Sequence, residues 1–251
     1  MQRRIFLSSL ALSLALAGGL VSGAAGPVSA AAPIQPGTRI VSGNSACTMN
    51  FIYREVLPKP SDRGRRGTAA RRSTSTTAPL KPRLFAGTAG HCVSGVGARV
   101  STDDGAFGTV AFYVNNDSDD FAFIEIDREK ERLVNPSMLG FDGPTGVISG
   151  EAAKPGDAAH VYGNGLIFGE TELTRPRSGW LTRSDSQYFG ATLPVIMGDS
   201  GGPVLHEDGS ALGIIAHLVV STDFTTLDGN TVEHALRTAA ASGLNLEVVP
   251  G

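Results

Sequence analysis

The chain has 251 residues and a formal net charge of −3, and 41% of its residues are apolar. This composition excludes a disordered polar chain and a bundle of membrane helices. The 32 glycines follow no third-residue period, which excludes collagen, and two cysteines are too few for a disulfide-dense miniprotein or a four-cysteine zinc site. Glycine-rich turns between short apolar runs favour β-strands over long helices, in one large unit or two compact ones.

The N-terminus has the parts of a secretory signal. Arg3 and Arg4 precede an apolar run over residues 5–21, and small residues follow. We expect removal of residues 1–30, with cleavage near Ala30, and export by the Sec route or, because R-R-I-F-L resembles a twin-arginine motif, by the twin-arginine route. A retained membrane anchor is the alternative, although the run is of marginal length for a span. Export predicts a secreted protein in an oxidising environment, with no membrane attachment after the signal is removed.

Two further segments have distinct compositions. Residues 31–39 are rich in proline and glycine, and we expect a short leader or propeptide there. Residues 58–83 contain eight Lys or Arg residues and one acid, so this stretch cannot form a core and is predicted to be a basic flexible surface insertion. It lacks the interleaved aromatic residues on which single-stranded bases stack, so no nucleic-acid partner is expected.

From residue 84 onward, short apolar runs alternate with turn residues, which is typical of an all-β sandwich or barrel. The predicted strands include residues 99–100, 108–114, 121–126, 159–162, 194–197, 204–205 and 212–220. One helix is predicted near the C-terminus, with Asn230 as its N-cap and Gly243 at its end. Its buried face would consist of Val232, Ala235, Leu236, Ala239 and Ala240, which follow helical spacing.

Three segments carry residues for nucleophilic catalysis. T-A-G-H-C places His91 in a turn after an apolar strand, D-D-F-A-F-I places Asp119 and Asp120 at the start of another, and G-D-S-G-G-P places Ser200 in a glycine-rich loop. A serine needs an adjacent base, and a carboxylate can orient a histidine in that role. The glycines around Ser200 would let the N–H groups of Gly198 and Ser200 converge on a developing oxyanion.

The order of these segments separates two types of hydrolase. G-x-S-x-G also marks α/β-hydrolases, in which the acid and the histidine follow the serine. Here about 50 residues follow Ser200, without a βαβ pattern, whereas the order histidine, aspartate, serine occurs with separations of 29 (120 − 91) and 80 (200 − 120). A lone histidine in a turn or a lone aspartate before a strand is usually structural, so the prediction depends on the three segments together.

Together, T-A-G-H-C, D-F-A-F-I and G-D-S-G-G-P resemble the chymotrypsin family of serine proteases, and C-T-M-N-F at residues 47–51 resembles its bacterial, secreted, streptogrisin-like branch. The resemblance implies an all-β fold of two packed antiparallel β-barrels with a C-terminal α-helix and an active site in the cleft between the barrels. We expect the N-terminal barrel at residues 40–140 and the C-terminal barrel, with the helix, at residues 141–251.

The resemblance also implies the role of each residue. His91 would be the general base and acid, Asp120 its orienting partner and Ser200 the nucleophile. The N–H groups of Gly198 and Ser200 would form the oxyanion hole. Asp120 is preferred to Asp119 because the family's aspartate directly precedes the apolar run.

Several features extend or depart from the family pattern. The family's disulfide between the histidine loop and its neighbouring strand would pair Cys47 with Cys92. Ala216, His217 and Leu218 occupy the strand edge that would hydrogen-bond the substrate backbone, with alanine and leucine where the family tends to have serine and glycine. Leu218 is expected to narrow the mouth of the specificity pocket.

The segment R-I-V-S-G at residues 39–43 resembles an activation junction. However, Cys47 follows too soon for the full first strand of the animal enzymes, so an Ile40 amine is not expected to reach Asp199. The remaining histidines, at positions 160, 206, 217 and 234, show no metal-binding spacing, and no metal or cofactor is expected.

The sequence therefore predicts a secreted, monomeric serine endopeptidase that cleaves protein or peptide substrates through an acyl-enzyme. Pro194 occupies the position six residues before the nucleophile, and no acid lies at residues 190–198, so a small or medium apolar residue is expected before the scissile bond. The alternatives are a non-cleaving secreted binding protein on the same fold and an esterase.

Overall fold

The computed structural model describes residues 33–57, 81–165, 175–220 and 225–251. The predicted signal at residues 1–30 and most of the predicted basic insertion, residues 58–80, lie outside them. The described residues form one α-helix, α1 (Val232–Ala241), and these strands: β1 (Arg39–Ser42), β2 (Ser45–Thr48), β3 (Ile52–Glu55), β4 (Leu84–Thr88), β5 (Arg99–Thr102), β6 (Gly105–Asn115), β7 (Asp120–Ile126), β8 (Ala158–Tyr162), β9 (Pro176–Ser184), β10 (Tyr188–Thr192), β11 (Pro203–His206), β12 (Ala211–Val220), β13 (Thr225–Thr231) and β14 (Leu246–Val248).

Eight strands form the first sheet, in the order β14-β3-β4-β7-β6-β5-β1-β2, and neighbouring strands are antiparallel. Strand β7 lies near the middle and is buried on both faces because its residues alternate between two hydrophobic clusters. Ala122, Ile124 and Ile126 pack inside the first sheet, whereas Phe121 and Phe123 pack into a cluster shared with the second sheet and the helix. Two-sided burial fixes the register of the strand that begins at Asp120.

The other six strands form a closed antiparallel barrel, in the order β10-β13-β12-β11-β8-β9. Its interior is filled by one cluster that includes Val161, Leu181, Phe189, Leu212 and Leu227. The predicted all-β architecture of two antiparallel units with a C-terminal helix is confirmed. The prediction of a strand at residues 194–197 was wrong, because this segment is a loop before the turn that carries Ser200.

The N-cap of helix α1 lies one residue later in the chain than predicted. Thr231 is the N-cap, and its side-chain oxygen accepts a hydrogen bond from the His234 N–H group. The prediction of Asn230 as the cap was therefore wrong, whereas Gly243, with a φ of 91°, follows the helix end as predicted. After the helix, β14 pairs with β3, so the C-terminal segment joins the first sheet. No helix in the described part of the chain is long and apolar enough to cross a membrane.

Residues 33–39, the described part of the expected leader, pack against the body of the protein. Ile34 is buried, its N–H group donates to Leu133 O at 2.9 Å, and its carbonyl accepts from Asn135 N at 3.0 Å. Two residues later, Pro36 O accepts a hydrogen bond from Leu139 N at 3.0 Å. The backbone of this segment is therefore held by the residues that follow β7, and its buried Ile34 side chain packs in the hydrophobic cluster of the first sheet.

Candidate active site

His91 lies in a short 3-10 turn, Gly90–Cys92, that follows β4. A Cβ atom on Gly90 would lie 2.0 Å from the carbonyl oxygen of Val114 and 2.9 Å from Asp120 Oδ1. Since such distances are too short for non-bonded atoms, any side chain at position 90 would push the turn away from β6 and β7. The glycine of the T-A-G-H-C motif thus lets the histidine turn pack directly on the strand that carries Asp120.

Asp120 is the first residue of β7 and is only 2% exposed. Its Oδ1 accepts a hydrogen bond from the His91 backbone N–H at 2.7 Å, and its Oδ2 lies 2.6 Å from His91 Nδ1. A carboxylate facing Nδ1 selects the tautomer protonated there and leaves Nε2 as the free base. The hydrogen bond with Asp120 raises the pKa of His91 above its ordinary value, although burial opposes this change.

Asp119 faces a different histidine. Its Oδ1 lies 2.6 Å from Nε2 of His234, on helix α1. Adjacent residues of an extended chain direct their side chains to opposite sides, so Asp119 and Asp120 cannot both face His91. The structure thus places Asp120, the residue preferred from the sequence, against the histidine of the motif.

Ser200 lies in the turn that precedes β11. The N–H groups of Asp199, Gly201 and Gly202 each donate to a backbone carbonyl, at 3.0, 2.7 and 2.9 Å respectively. By contrast, the N–H groups of Gly198 and Ser200 have no acceptor among the described residues. These two N–H groups are therefore not used in hydrogen bonds among the described residues.

A short series of bonds connects Ser200 to the histidine turn. The Thr48 N–H donates to Ser200 O at 2.9 Å, and Thr48 follows Cys47, whose disulfide joins Cys92, the residue after His91. The disulfide implied by the resemblance is thus present; it spans a sequence separation of 45 residues. A crosslink over a loop of that size stabilises the fold by about 4 kcal/mol in the chain-entropy model.

Ser200 and His91 are brought to the same region without a direct bond between their side chains. Among the hydrogen bonds of the described residues, none joins Ser200 Oγ to His91 Nε2. Contacts of this kind often form only when substrate is bound, so the geometry is compatible with a serine activated by the histidine.

Asp199, the residue before the nucleophile, is fully buried and forms a two-point ion pair with Arg177. The distances are 2.7 Å from Nη1 to Oδ2 and 2.8 Å from Nη2 to Oδ1. The N–H groups of Gly165 and Ile196 donate to the same carboxylate, each at 2.8 Å. Ile40 is itself buried in β1, so Asp199 is paired with Arg177 and not with an Ile40 amine.

The predicted substrate edge lies in β12. The register between β12 and β13 slips between Ile215 and His217, so Ala216 forms a bulge and is buried. Leu218 is 38% exposed and pairs with Leu227, which is buried. Because directly opposed residues share a face of the sheet, the partly exposed Leu218 lies beside the buried Leu227.

Two groups of side chains in the described residues have metal-ligand chemistry within 4.8 Å. One contains His91 and the disulfide cysteines, which have no thiolate to offer. The other contains Asp157, His206 and Glu207, but His206 already lies between two carboxylates, 3.1 Å from Asp157 Oδ2 and 3.0 Å from Asp208 Oδ1. Burial lowers the pKa of His206, but hydrogen bonds to Asp157 and Asp208 and the charges of these two carboxylates outweigh burial and raise it.

Two residues at the site were missed by the sequence analysis. Arg177 lies in β9, 22 residues before Asp199 (199 − 177), and belongs to no motif. The one available signal was indirect, since a buried aspartate beside the nucleophile requires a cation. The sequence pattern predicts Asn230 as a helix cap, but its Oδ1 accepts the N–H of Asp120 at 2.9 Å.

Three solved bacterial proteases share the fold. Thermobifida fusca Protease A is 20% identical (TM-score 0.57), and the match covers 87% of this chain and 99% of that chain. Nocardiopsis protease is 17% identical (TM-score 0.54; 86% and 98% covered), and Cellulomonas bogoriensis chymotrypsin is 16% identical (TM-score 0.52; 86% and 98% covered). At these identities the likeness is evidence for the chymotrypsin-like two-barrel fold.

Membership of a family is shown by sequence. No curated protein matches this chain significantly. The family model for the trypsin-like peptidase domain matches residues 80–214, which is just over half of the chain and includes His91, Asp120 and Ser200. The chain therefore belongs to the trypsin-like peptidase family, as a serine endopeptidase that acts on protein or peptide substrates.

Proposed function

We propose that the protein is a secreted serine endopeptidase that cleaves through a Ser200–His91–Asp120 triad and an acyl-enzyme. The observation that carries the proposal is the two-point contact of Asp120 with the backbone and the ring of His91. This contact leaves Nε2 of His91 as the one ring nitrogen able to accept the serine proton.

In the first half of the reaction, Ser200 Oγ attacks the scissile carbonyl while His91 Nε2 accepts the hydroxyl proton. The imidazolium is stabilised by Asp120, and the oxyanion accepts hydrogen bonds from the N–H groups of Gly198 and Ser200. His91 then donates its proton to the leaving amine as the acyl-enzyme forms. In the second half, a water molecule attacks the acyl-enzyme with His91 again as the base, which regenerates Ser200.

The preference before the scissile bond is proposed to be a small or medium apolar residue. In the family, an acidic residue at the position of Pro194 selects Arg or Lys before the scissile bond. Here Arg177 Nη1 donates to Pro194 O at 2.8 Å, so a cation lies beside that position. The Arg177 charge is matched by Asp199, so nothing in this loop would neutralise a lysine or arginine of the substrate. Leu218, opposite the buried Leu227, reduces the room for a large ring.

The proposal includes export, removal of residues 1–30 and action as a monomer outside the cell, without a nucleic-acid or membrane partner. The Cys47–Cys92 disulfide supports export, because disulfides persist in oxidising compartments. Since residues 33–39 pack against the first sheet, we place the mature N-terminus before Ile34 and propose that this segment stays in the active enzyme.

Labelling with a fluorophosphonate probe tests the triad. The exported protein is expected to be labelled and Ser200→Ala is not, and His91→Ala and Asp120→Ala should be labelled much more slowly. Casein and nitrophenyl-ester assays on the same sample separate the alternatives. Ester hydrolysis without casein cleavage would identify an esterase, and a folded wild-type protein that is never labelled would identify a non-cleaving binding protein.

A further inference from the structure

The backbone around the triad aspartate is held from the other sheet. Ser118, Asp119 and Asp120, here called the 118–120 segment, lead into β7 of the first sheet. Their hydrogen-bond partners include side chains of the second barrel and the terminal helix, namely Asn230 at the end of β13 and His234 in α1. The position of Asp120 therefore depends on side chains that belong to no catalytic motif.

Asn230 forms hydrogen bonds to the 118–120 segment through both the oxygen and the nitrogen of its side-chain amide. Its Oδ1 accepts the N–H of Asp120 at 2.9 Å, and its Nδ2 donates to the carbonyl oxygen of Ser118 at 3.1 Å. The amide has one possible orientation, since a flip would set its NH₂ against an N–H and its oxygen against a carbonyl. An apolar residue or a carboxylate at position 230 would leave at least one of these backbone groups without its partner.

Asn230 is itself firmly held. It is 2% exposed, and its backbone pairs in register with Tyr188 on one side and Ile214 on the other. Water therefore does not compete for its amide, and hydrogen bonds in such an environment are stronger than on a surface. The barrel therefore restrains the backbone of Asp120 through the side chain of Asn230.

A second contact holds Asp119, which lies between the two residues that Asn230 bonds. His234 Nε2 lies 2.6 Å from Asp119 Oδ1, and Arg237 Nη2 lies 3.0 Å from His234 Nδ1. Because arginine can only donate, Nδ1 is the acceptor and Nε2 carries the proton given to Asp119. The 118–120 segment is thus tied at all three residues.

We propose that Asn230 is a positioning residue of the reaction, which acts through Asp120 by fixing the backbone that presents its carboxylate to His91. This proposal rests on the proposed triad. The described hydrogen bonds of the Asp120 carboxylate both go to His91, so any displacement of the Asp120 backbone changes the orientation of the catalytic ring. A misplacement of about 1 Å in catalytic machinery can lower the rate by about 100-fold.

A double-mutant cycle with Asp120→Ala tests this role. Asn230→Ala is expected to lower kcat on a peptide ester by about 10- to 100-fold, with KM within about twofold of wild type, because Asn230 acts through Asp120 and not on substrate binding. In the Asp120→Ala background, where no carboxylate remains to be positioned, the same substitution should lower kcat by less than about threefold. An equal loss in both backgrounds, or no loss in the wild-type background, would overturn the proposal.

Three further variants make the result interpretable. Asn135→Ala removes another asparagine amide, which donates to Gln35 in the loop regions outside the strands, and should leave kcat unchanged. If Asn230→Ala does not fold by circular dichroism, the cycle is repeated with Asn230→Ser, which is too short to reach either backbone group and introduces no charge. Ser200→Ala measured in parallel distinguishes a failure of the proposed triad from a failure of the proposed role of Asn230. Activity that survives this change refutes the triad itself, independently of Asn230.

Discussion

Arg177 and Asp199 form a bidentate ion pair from which water is almost excluded, since the two side chains are 8% and 0% exposed. Asp199 lies between the two residues whose N–H groups form the proposed oxyanion hole. Its carboxylate is held by Arg177 on one side and by two backbone N–H groups on the other. The ion pair therefore holds the loop that carries Ser200 to β9.

Replacement of Arg177 by methionine should destabilise the fold strongly. The substitution keeps much of the side chain's volume but leaves the buried carboxylate of Asp199 without a cation, which typically costs 3–5 kcal/mol. We expect a decrease of about that size in the free energy of unfolding, measured by urea denaturation, together with loss of fluorophosphonate labelling.

Two companion variants define the cause. Arg39→Met breaks an exposed ion pair with Asp103 and should cost less than about 1 kcal/mol. The double variant Arg177→Met/Asp199→Asn should be more stable than Arg177→Met alone, because the unpaired buried charge is gone. If Arg177→Met proves no more harmful than Arg39→Met, the ion pair does not hold the loop as we infer.

A second prediction concerns the R-I-V-S-G segment. Since Asp199 is already paired and Ile40 is buried within β1, cleavage after Arg39 should not be needed for activity. Arg39→Gln, which removes a trypsin-type cleavage site, is expected to be labelled and to cleave casein as well as the wild type. Mass spectrometry of active protein should find an N-terminus before Ile34. An active form that begins at Ile40, with an inactive Arg39→Gln, would contradict this.

The predictable parts of the molecule are those with local signals. The histidine turn, the start of β7 and the glycine-rich serine loop each carry a short motif, and β5, β6, β7, β8, β11 and β12 follow from their apolar runs. Contacts between distant segments carry no such signal. Arg177 meets Asp199 across 22 residues and Asn230 meets Asp120 across 110, and both pairings depend on how the sheets pack. The N-cap of α1 is Thr231 and not the predicted Asn230, because the buried amide of Asn230 instead bonds the 118–120 segment.

The pH dependence of activity should report on the pair formed by His91 and Asp120. As the base, His91 must be neutral, and its hydrogen bond with Asp120 raises its pKa above the ordinary 6.5. The value of kcat/KM should therefore rise with pH through a midpoint above 6.5. Asp120→Asn should move this midpoint to lower pH and reduce the rate by up to about 10⁴-fold, as loss of the orienting carboxylate does in triads of this type. The surface variant Asp103→Asn serves as the control, and its midpoint should match that of the wild type.

Stability should also depend on pH through a second histidine, His206. Asp157 and Asp208 raise the pKa of His206 above 6.5 despite its burial, so the folded state binds a proton more tightly than the unfolded state does. The contribution of His206 is therefore complete below pH 6.5 and is lost as the pH rises through its folded pKa. The pKa of Asp157 is lowered by the Lys154 N–H and by His206, so its contribution is lost instead as the pH falls below its ordinary 3.8.

Urea titrations at a series of pH values test this assignment. The wild type is expected to lose stability as the pH rises above 6.5, and His206→Gln should lose less over the same interval. His217→Gln is the matched control, because His217 is exposed and its nearest carboxylate oxygen, on Asp228, is 3.8 Å away. Equal slopes for wild type and His206→Gln would show that another group is responsible.

Specificity is the prediction that depends most on the departures from the family pattern. Peptides that differ only in the residue before the scissile bond should be cleaved with kcat/KM highest for Ala, Val or Leu and lower for Phe, Lys, Arg and Glu. Pro194 replaces a pocket carboxylate and the charge of Arg177, which lies against the Pro194 carbonyl, is matched by Asp199, so a substrate cation gains no partner. Because one methylene changes discrimination by about 1–3 kcal/mol, the preference among apolar residues should be graded.

Leu218→Gly isolates the steric part of this preference. Removal of a leucine that is 38% exposed at the edge of β12 should raise kcat/KM for Phe relative to Ala by about 10-fold or more, with little change for Arg, since the charge beside Pro194 is unaltered. Val96→Ala, at an exposed apolar residue in the loop before β5, should leave the ranking as it is in the wild type. A wild-type enzyme that prefers Arg or Phe to Ala and Leu would refute the pocket inferred here, and a Leu218→Gly variant without a gain for Phe would show that Leu218 does not narrow it.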